Sequence, residues 1–226
     1  MTPAALVRSV LSDLLNDTLL ADLGATFARV LLGATLSLVL GGSLGLLLGA
    51  SPRLHRATGP VVDGIRSIPP VLVYPLLLLA LGYGEGSRLA AIVFGAMGVV
   101  VVPVARSLLE TPTARRDIVR LARLPPLATL WHLHLPQAAG ALVTAARLAL
   151  AQALVVAVVT EMLVSPAHGL GVRALGALQE YRSDRLWQVI LLAGGASAGL
   201  NAALGALDRR VRGADGARPR EVEPGE

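Results

Sequence analysis

Apolar residues occur in long uninterrupted runs along this chain of 226 residues. Four runs contain no charged residue: 30–52, 67–84, 89–105 and 186–207. A helix needs about 20 residues to cross a hydrocarbon core about 30 Å thick, and each run is near or above that length. A fifth run, 137–164, is long enough but contains Arg147 and Glu161. The pattern predicts an all-α integral membrane bundle of five transmembrane helices.

The predicted boundaries divide the chain into three parts. Residues 1–21 alternate charged and apolar positions in the manner of an amphipathic helix lying at the membrane interface. A transmembrane domain follows over 22–210. Residues 211–226 are rich in glycine, proline and charge, which is typical of a disordered tail. Within the domain, the predicted spans are about 24–50, 60–82, 88–109, 137–164 and 186–207.

Composition supports a membrane protein. The chain is 54% hydrophobic and only 15% charged, which is too apolar for an ordinary soluble domain. The chain contains 20 arginines and no lysine, and the arginines cluster at the ends of the apolar runs. That distribution follows membrane topology and not a nucleic-acid groove, so no nucleic-acid partner is predicted. The absence of cysteine excludes disulfides and thiolate metal sites.

The arginines also predict the orientation of the spans. Thirteen arginines lie in 53–66, 106–123 and 209–220. The segments predicted for the opposite side hold four of them: Arg88, Arg173, Arg182 and Arg185. Because positive charge accumulates on the cytoplasmic side, the larger group is expected there. The amino terminus is then outside and the carboxyl terminus is cytoplasmic.

Residues 110–136 form a polar, arginine-rich segment between two predicted spans. Helical spacing places apolar side chains on one side of it: Ile118, Leu121, Ala122 and Pro125. It places basic side chains on another: Arg116, Arg120 and Arg123. The pattern suits a rigid knob that enters the groove of a partner protein. An interfacial helix among anionic lipid headgroups explains it as well.

Small residues and prolines interrupt the apolar spans. Small residues recur every four positions in the first and last spans: Gly41, Gly45, Gly49, and Gly195, Gly199, Ala203. This spacing allows close helix packing, although a sequence rich in glycine and alanine also contains it by composition. Pro69, Pro70 and Pro75 predict a kink or a local opening of the second span. Broken helices line many transport pathways, and a kink can also serve packing alone.

Arg147 and Glu161 are ionisable residues inside the predicted fourth span. Such groups are costly in hydrocarbon and usually face protein or water. They lie about 21 Å apart along a helix, so they cannot pair with each other. One interpretation makes them gating or inter-helix contacts of a pathway. The other has Arg147 reaching toward the inner interface and Glu161 toward the outer interface.

Several motifs together resemble the permease subunits of the nitrate/sulfonate/taurine type of ABC importer, over residues 22–210. They occur in the family's order: Arg66-Ser67-Ile68-Pro69-Pro70, Tyr74-Pro75-Leu76, Gly82-Tyr83-Gly84-Glu85, Ala146-Arg147-Leu148-Ala149-Leu150, Thr160-Glu161-Met162-Leu163 and Gly169-Leu170-Gly171. Residues 117–136 are similar to the EAA loop of these permeases, which begins with an acidic residue and two alanines. Here the loop begins at Asp117, its alanines are replaced by Ile118 and Val119, and its usual glycine falls at Arg123.

The resemblance implies a type I ABC importer permease core in the bacterial cytoplasmic (inner) membrane, and it assigns roles to individual residues. It implies a cytoplasmic coupling helix that contacts the ATPase through Asp117, Ile118, Arg120, Leu121, Arg123, Leu124, Leu135 and Pro136. It places five residues in the translocation path or gate: Pro69, Pro70, Pro75, Arg147 and Glu161. It places four residues in loops that face the binding protein: Tyr83, Glu85, Gly169 and Gly171.

The implied partners are a second copy of the chain, cytoplasmic ATP-binding subunits, a periplasmic or lipid-anchored solute-binding protein and the lipid bilayer. ATP and Mg²⁺ would bind to the ATPase, so no cofactor, metal or catalytic residue is expected in this chain. His132 and His134 are two positions apart and fall on different helix faces, which disfavours a metal site. Two alternatives stay open: a membrane enzyme using Glu161, Arg147 and His168, and a membrane scaffold with no solute path.

Overall fold

The apolar runs fold into helices throughout residues 17–215, the part of the chain that this computed structural model describes. Over these residues the structure contains helices and no strands, which confirms the all-α prediction. The α-helices are α1 Asp17–Ala50, α2 Pro52–Arg66, α3 Pro70–Leu81, α4 Glu85–Leu109, α5 Thr113–Leu121, α6 Pro126–Thr129, α7 Leu135–Leu163, α8 Leu170–Gln179 and α9 Ser183–Asp215. A π-helical turn, Leu130–His134, joins α6 to α7 without a break.

Four of the predicted spans coincide with helices that are long and apolar enough to cross a bilayer, namely α1, α4, α7 and α9. The second predicted span, 60–82, is not one helix. The chain is helical over α2 and α3, which meet at an angle of 87° across a three-residue break. This bent pair is a fifth candidate span. The break falls at Pro69 and Pro70 because proline cannot continue a preceding helix.

The structure also moves three other predicted boundaries. Residues 17–21, predicted to lie in a separate amphipathic segment, belong to α1, while residues 1–16 lie outside the described residues. Residues 211–215, predicted as disordered tail, continue α9, and residues 216–226 are likewise outside. The predicted loop 110–136 is mostly helical, since it contains α5, α6 and the π-helical turn.

Helix α4 lies at the centre of the bundle, between α1 and α7. The core between these helices includes Val30, Ile92, Val100, Val104 and Val156, all buried. Helix α3 packs against α4 and α7, and α8 packs against α7 and α9. The central position of α4 puts it in direct contact with α1 and α7.

Glycines bring α1 unusually close to α4. A Cβ atom at Gly45 would lie 2.8 Å from the carbonyl oxygen of Val101, and one at Gly49 would lie 2.6 Å from that of Ala105. Such contacts leave no room for a side chain, so the four-residue spacing in the first span serves close packing as predicted. The corresponding Gly195 in α9 has nothing within 4 Å of its added Cβ, so its stripe packs against no other described residue.

Candidate functional site

Two ends of the bundle carry the residues that matter for function. The α5 end contains α5, α6 and the π-helical turn, together with the last residues of α1 and α4. The α8 end contains α8, the first turns of α1 and α4, and the last turn of α7. A third region, the exposed face of α7, lies between these ends.

The apolar side of α5 faces away from the rest of the chain. Ile118 is 65% exposed and Leu121 is 83% exposed. Three further apolar side chains are exposed in the same segment: Leu124, Leu127 and Trp131. Exposed apolar clusters of this kind mark surfaces that another molecule covers.

Arg116 attaches α5 to the end of α4. Its Nη2 donates hydrogen bonds of 2.8 and 2.7 Å to the carbonyl oxygens of Leu108 and Leu109. These are among the last carbonyls of α4, which have no partner within the helix itself. The sequence grouped Arg116 with Arg120 and Arg123 on a basic side of the helix. In the structure the guanidinium of Arg116 points inward, toward the end of α4.

A second link joins α5 to the start of α7. Arg115 Nη1 donates to Gln137 Oε1 at 3.2 Å, and Gln137 Nε2 donates to the carbonyl oxygen of Ser107 at 3.2 Å. Helix α5 is therefore connected to both α4 and α7 by side-chain hydrogen bonds. A force on α5 is passed to both long helices.

The turn after α5 has a backbone conformation that disfavours side chains. Arg123 has φ of 47°, in the left-handed region where glycine is the usual residue. It occupies the position where the resemblance expects a glycine. Arg123 and Leu124 are exposed, Asp117 is exposed, and Leu135 is half-buried at the start of α7 with Pro136 in its first turn. The side chain of Arg120 is not among those described.

At the α8 end, Glu161 is fully buried and holds three elements together. Its carboxylate accepts hydrogen bonds from Thr26 Oγ1 at 2.9 and 3.0 Å, from Arg29 Nη1 at 2.8 Å and from the backbone N–H of Gly171 at 2.9 Å. The last bond places the carboxylate at the amino terminus of α8, where unpaired N–H groups favour negative charge.

Neighbouring groups complete the start of α8. The N–H of Leu170 donates to Thr26 Oγ1 at 2.8 Å, and that of Gly169 donates to Asp22 Oδ1 at 3.0 Å. Asp22 also pairs with Arg173 at 2.8 Å, which fixes α8 against α1. The sequence assigned Gly169 and Gly171 to a surface facing a binding protein. Both are buried, because their backbone N–H groups serve these internal bonds.

Arg29 links Glu161 to a second carboxylate. Its guanidinium binds both oxygens of Glu85, at 2.7 and 2.9 Å, and also reaches the carbonyl oxygen of His168 at 3.0 Å. Arg88 in turn bonds Glu85 at 3.0 Å and the carbonyl oxygen of Val164 at 3.1 Å. Charges of opposite sign thus alternate through Arg88, Glu85, Arg29 and Glu161. We call these four residues the outer charge network.

This arrangement corrects one of the two interpretations of Glu161. The side chain does not reach an outer interface, because all of its surface is covered within the chain. It forms inter-helix contacts with Thr26 and Arg29. It does not converge with Arg147, which is 14 residues away on α7, about 21 Å along the helix. The imidazole of His168 instead lies 3.4 Å from Asp22. The three residues considered for a membrane enzyme therefore do not form a catalytic site.

Arg147 occupies the exposed face of α7. It lies 12 residues after Leu135 and 16 before Leu163, which places it near the middle of the helix. It forms no hydrogen bond or ion pair with another described residue. The opposite face of α7, which carries Ala145, Ala149 and Ala153, is buried against the bundle.

The prolines of the second span lie at the bend and on α3. Pro69 precedes α3, and Pro70, its first residue, packs against α4, where a Cβ atom at Gly95 would lie 2.8 Å from the proline ring. Pro75 is exposed within α3. Tyr83, in the turn that follows, is 83% exposed, and the side chain of Glu85 is about half exposed.

Sequence reasoning missed Arg29 and the inward role of Arg116. Arg29 is the one charged residue inside the first predicted span, and Glu161 is one of two inside the fourth. Each lies close to the end predicted to be outside, so matching them by depth could have paired them. Nothing in the sequence pattern distinguishes Arg116 from its neighbouring arginines.

The chain is similar to known transport proteins. The family model described as "Binding-protein-dependent transport system inner membrane component" matches residues 37–213. A probable ABC transporter permease protein of Haemophilus influenzae is 29% identical over 74% of this chain and 68% of its own. The taurine transport system permease protein TauC of Escherichia coli is 25% identical over 87% and 71%. The nitrate import permease protein NrtB of Synechocystis is 27% identical over 74% and 59%.

Solved structures share the same architecture. Two crystal forms of the inward-facing MetNI methionine ABC transporter align with TM-scores of 0.75 and 0.77. The sequence identities are 23% and 22%, and the alignments cover 86% of this chain and 96% of the other. At this level of identity the likeness establishes the fold.

Proposed function

Because this chain belongs to the family of binding-protein-dependent transport system inner membrane components, the permease subunits of ABC importers, we propose that it carries a small solute delivered by an external binding protein. It is a non-catalytic subunit, and ATP hydrolysis belongs to a separate ATPase. The observation that supports coupling most directly is α5, whose exposed Ile118 and Leu121 stand on a helix bonded to both α4 and α7.

In the proposed mechanism, α5 is the coupling helix. Its apolar face docks in a groove of the ATPase, which binds ATP and Mg²⁺ on behalf of the complex. When two ATPase subunits close, they push α5, and the bonds of Arg116 and Gln137 pass that displacement to α4 and α7. The long helices then change their packing, so the path alternates between two states.

The proposed assembly contains two copies of this chain with a path along their two-fold axis. It lies in the bacterial inner membrane with α5 and the carboxyl terminus in the cytoplasm, as the arginine distribution indicates. The external binding protein approaches the α8 end, where Tyr83 and Glu85 are the exposed residues of the predicted docking loops. The buried network behind them gives that surface a fixed shape.

Three relatives are named for the transport of taurine, nitrate and bicarbonate. These solutes are small, and each carries an anionic group. We propose a solute of similar size for this chain.

Reconstitution tests the proposed function. The chain is co-expressed with the ATPase and the binding protein encoded beside it, and the complex is placed in proteoliposomes. ATP turnover is expected to rise when the binding protein carries its solute, and labelled taurine, nitrate or bicarbonate serves as the first set of uptake probes. An ATPase variant that binds but does not hydrolyse ATP is the control. An assembled complex whose ATP turnover ignores the binding protein would support the scaffold alternative.

A further inference from the structure

The exposed guanidinium of Arg147 lies where an ordinary lipid environment would be costly. It stands near the middle of α7, about 18 Å from Leu135 and about 24 Å from Leu163 along the helix. A charged arginine at that depth costs several kcal/mol in hydrocarbon and is usually found facing protein or water. The exposed face of α7 therefore meets water or a second copy of the chain.

Arg147 differs from Arg29 and Arg88, two arginines that spanning helices carry at the α8 end. Arg29 and Arg88 are largely buried, and both are paired with carboxylates. Among the described side chains, each carboxylate on a spanning helix already has an arginine partner. These pairs are Asp22 with Arg173, Asp63 with Arg66, Glu85 with Arg29 and Arg88, Glu161 with Arg29, and Asp184 with Arg182. Among the side chains that the structure describes, these helices supply no counter-ion for Arg147.

One other polar group shares its side of α7. Thr144 is exposed one turn before Arg147, and its hydroxyl donates to the carbonyl oxygen of Gly140, at 3.0 Å. The two residues are three positions apart, so they are neighbours on the helix surface. A charged group without a protein partner on a spanning helix is typical of a surface that a polar solute or water contacts.

We propose that Arg147 is an anion-binding residue of the translocation path, and that the carried solute bears a carboxylate, a sulfonate or a comparable oxyanion. The inference rests on the proposed function, because it needs a path between two copies. In such an assembly the arginine occurs twice, once in each copy. A guanidinium binds oxyanions through two parallel N–H···O bonds, so a passing anion supplies the charge that the protein does not.

The absence of cysteine makes a direct test possible. Thr144→Cys is introduced into the complex with its ATPase, in lipid nanodiscs that leave both faces open to reagents. The anionic reagent methanethiosulfonate ethylsulfonate, itself a sulfonate, is compared with its cationic trimethylammonium analogue. Adding Arg147→Gln is expected to lower the ratio of the anionic to the cationic reaction rate about tenfold, because a positive charge one turn away is lost.

Two control variants separate charge at this site from charge in general. Arg147→Lys keeps the charge and is expected to keep the ratio within about twofold. Arg106→Gln also removes an exposed arginine from a spanning helix, but near the α5 end, and is expected to leave the ratio unchanged. None of these side chains is buried in the core, so the variants are expected to fold.

The outcomes distinguish this inference from the proposed function. If both reagents react and Arg147→Gln leaves the ratio unchanged, the exposed face of α7 is in contact with water but does not select anions. That result overturns the inference and does not affect the proposed importer function. If neither reagent reacts while Tyr83→Cys does, the face lies in lipid and the inference is also overturned. Binding-protein-dependent ATP turnover and uptake test the importer function separately, whatever the labelling shows.

Discussion

The two ends of this bundle use their arginines in different ways. At the α8 end, arginines and carboxylates are buried together and bond to one another within the same chain. At the α5 end, arginines hold backbone carbonyls while the apolar side chains point outward. The ion pairs of the first end are complete within the single chain. The second end exposes an apolar cluster of the kind that another molecule usually covers.

The difference indicates which end moves as a unit and which end receives a partner. The outer charge network joins α1, α4, α7 and the start of α8 through short bonds, and those made by Glu161 are buried or partly buried. Removing Glu161 would leave buried partners unpaired, so these elements stay together. At the α5 end, the connections run through Arg116 and Gln137 to helix ends, which leaves the apolar face free to bind. Rigidity at one end and accessibility at the other suit a subunit driven from outside itself.

The largest effect is expected from breaking the α8 end. Glu161→Ala leaves Arg29, Thr26 and the N–H of Gly171 without their shared partner, and we expect a loss of about 3–5 kcal/mol in the free energy of unfolding. The midpoint of thermal unfolding in detergent measures this. Glu161→Gln keeps the shape and part of the hydrogen bonding, so its loss should be smaller.

A matched control for this prediction lies at the same end. Glu180 pairs with Arg185 at 3.1 Å, but both side chains are about half exposed. Because exposed ion pairs contribute little, Glu180→Ala should change the free energy of unfolding by less than about 1 kcal/mol. Equal effects of Glu161→Ala and Glu180→Ala would show that the outer charge network does not hold the α8 end together.

The close contact between α1 and α4 runs between the two ends, and adding a side chain there should have the next largest effect. Gly49→Val forces a side chain against the carbonyl of Ala105, and we expect a loss of about 1–3 kcal/mol in the free energy of unfolding. Gly64→Val, in α2, is the control because its Cβ meets nothing within 4 Å. Chemical denaturation of both variants in the same detergent would show a contradiction if the two losses were alike.

The α5 end should respond in binding and not in folding. Ile118→Ser with Leu121→Ser removes exposed apolar area, so the free energy of unfolding of the isolated chain should change by less than about 0.5 kcal/mol. Co-purification with the ATPase should fall at least about tenfold, because the docked surface loses two buried side chains. Leu178→Ser, exposed at the α8 end, should leave co-purification unchanged. Retained ATPase binding in the double variant would remove α5 from the coupling role.

The smallest effect concerns the turn after α5. Arg123→Gly relieves a left-handed conformation, and we expect it to stabilise the turn by about 1 kcal/mol or less. Arg115→Gly removes the same kind of side chain from the helical part of α5 and should destabilise it by about 1 kcal/mol. Hydrogen exchange of the α5 amides reports both changes. Slower exchange in Arg115→Gly than in Arg123→Gly would contradict the assignment of strain.

Much of the fold follows from the sequence because membrane helices are recognised by the length of their apolar runs. Charge-free runs near 20 residues located α1, α4 and α9, and prolines located the break before α3. The right angle at that break did not follow, because proline interrupts a helix without fixing the direction of the next one. That direction depends on Pro70 packing against Gly95, a contact between distant parts of the chain.

The candidate site followed less completely. The exposed side of α5 could be predicted, because helical spacing separates Ile118 and Leu121 from the arginines. The burial of Glu161 could not be predicted from the local pattern, since its partner Arg29 lies 132 positions earlier and only a comparison of depth in the two predicted spans connects them. Long-range pairs of this kind carry no local pattern. For the same reason Gly169 and Gly171 were placed on a surface, although the backbone there is used for internal hydrogen bonds.

The unbroken helical stretch of 38 residues from Pro126 to Leu163 has a geometric consequence. Such a stretch is about 57 Å long, so it extends well past a hydrocarbon layer of about 30 Å. A tilt of about 10° around its midpoint would swing each tip by about 5 Å, in opposite directions. In the proposed mechanism the ATPase displaces one tip, and Glu161 near the other tip would carry its partners in α1 and α8 with it, so this stretch can work as a lever.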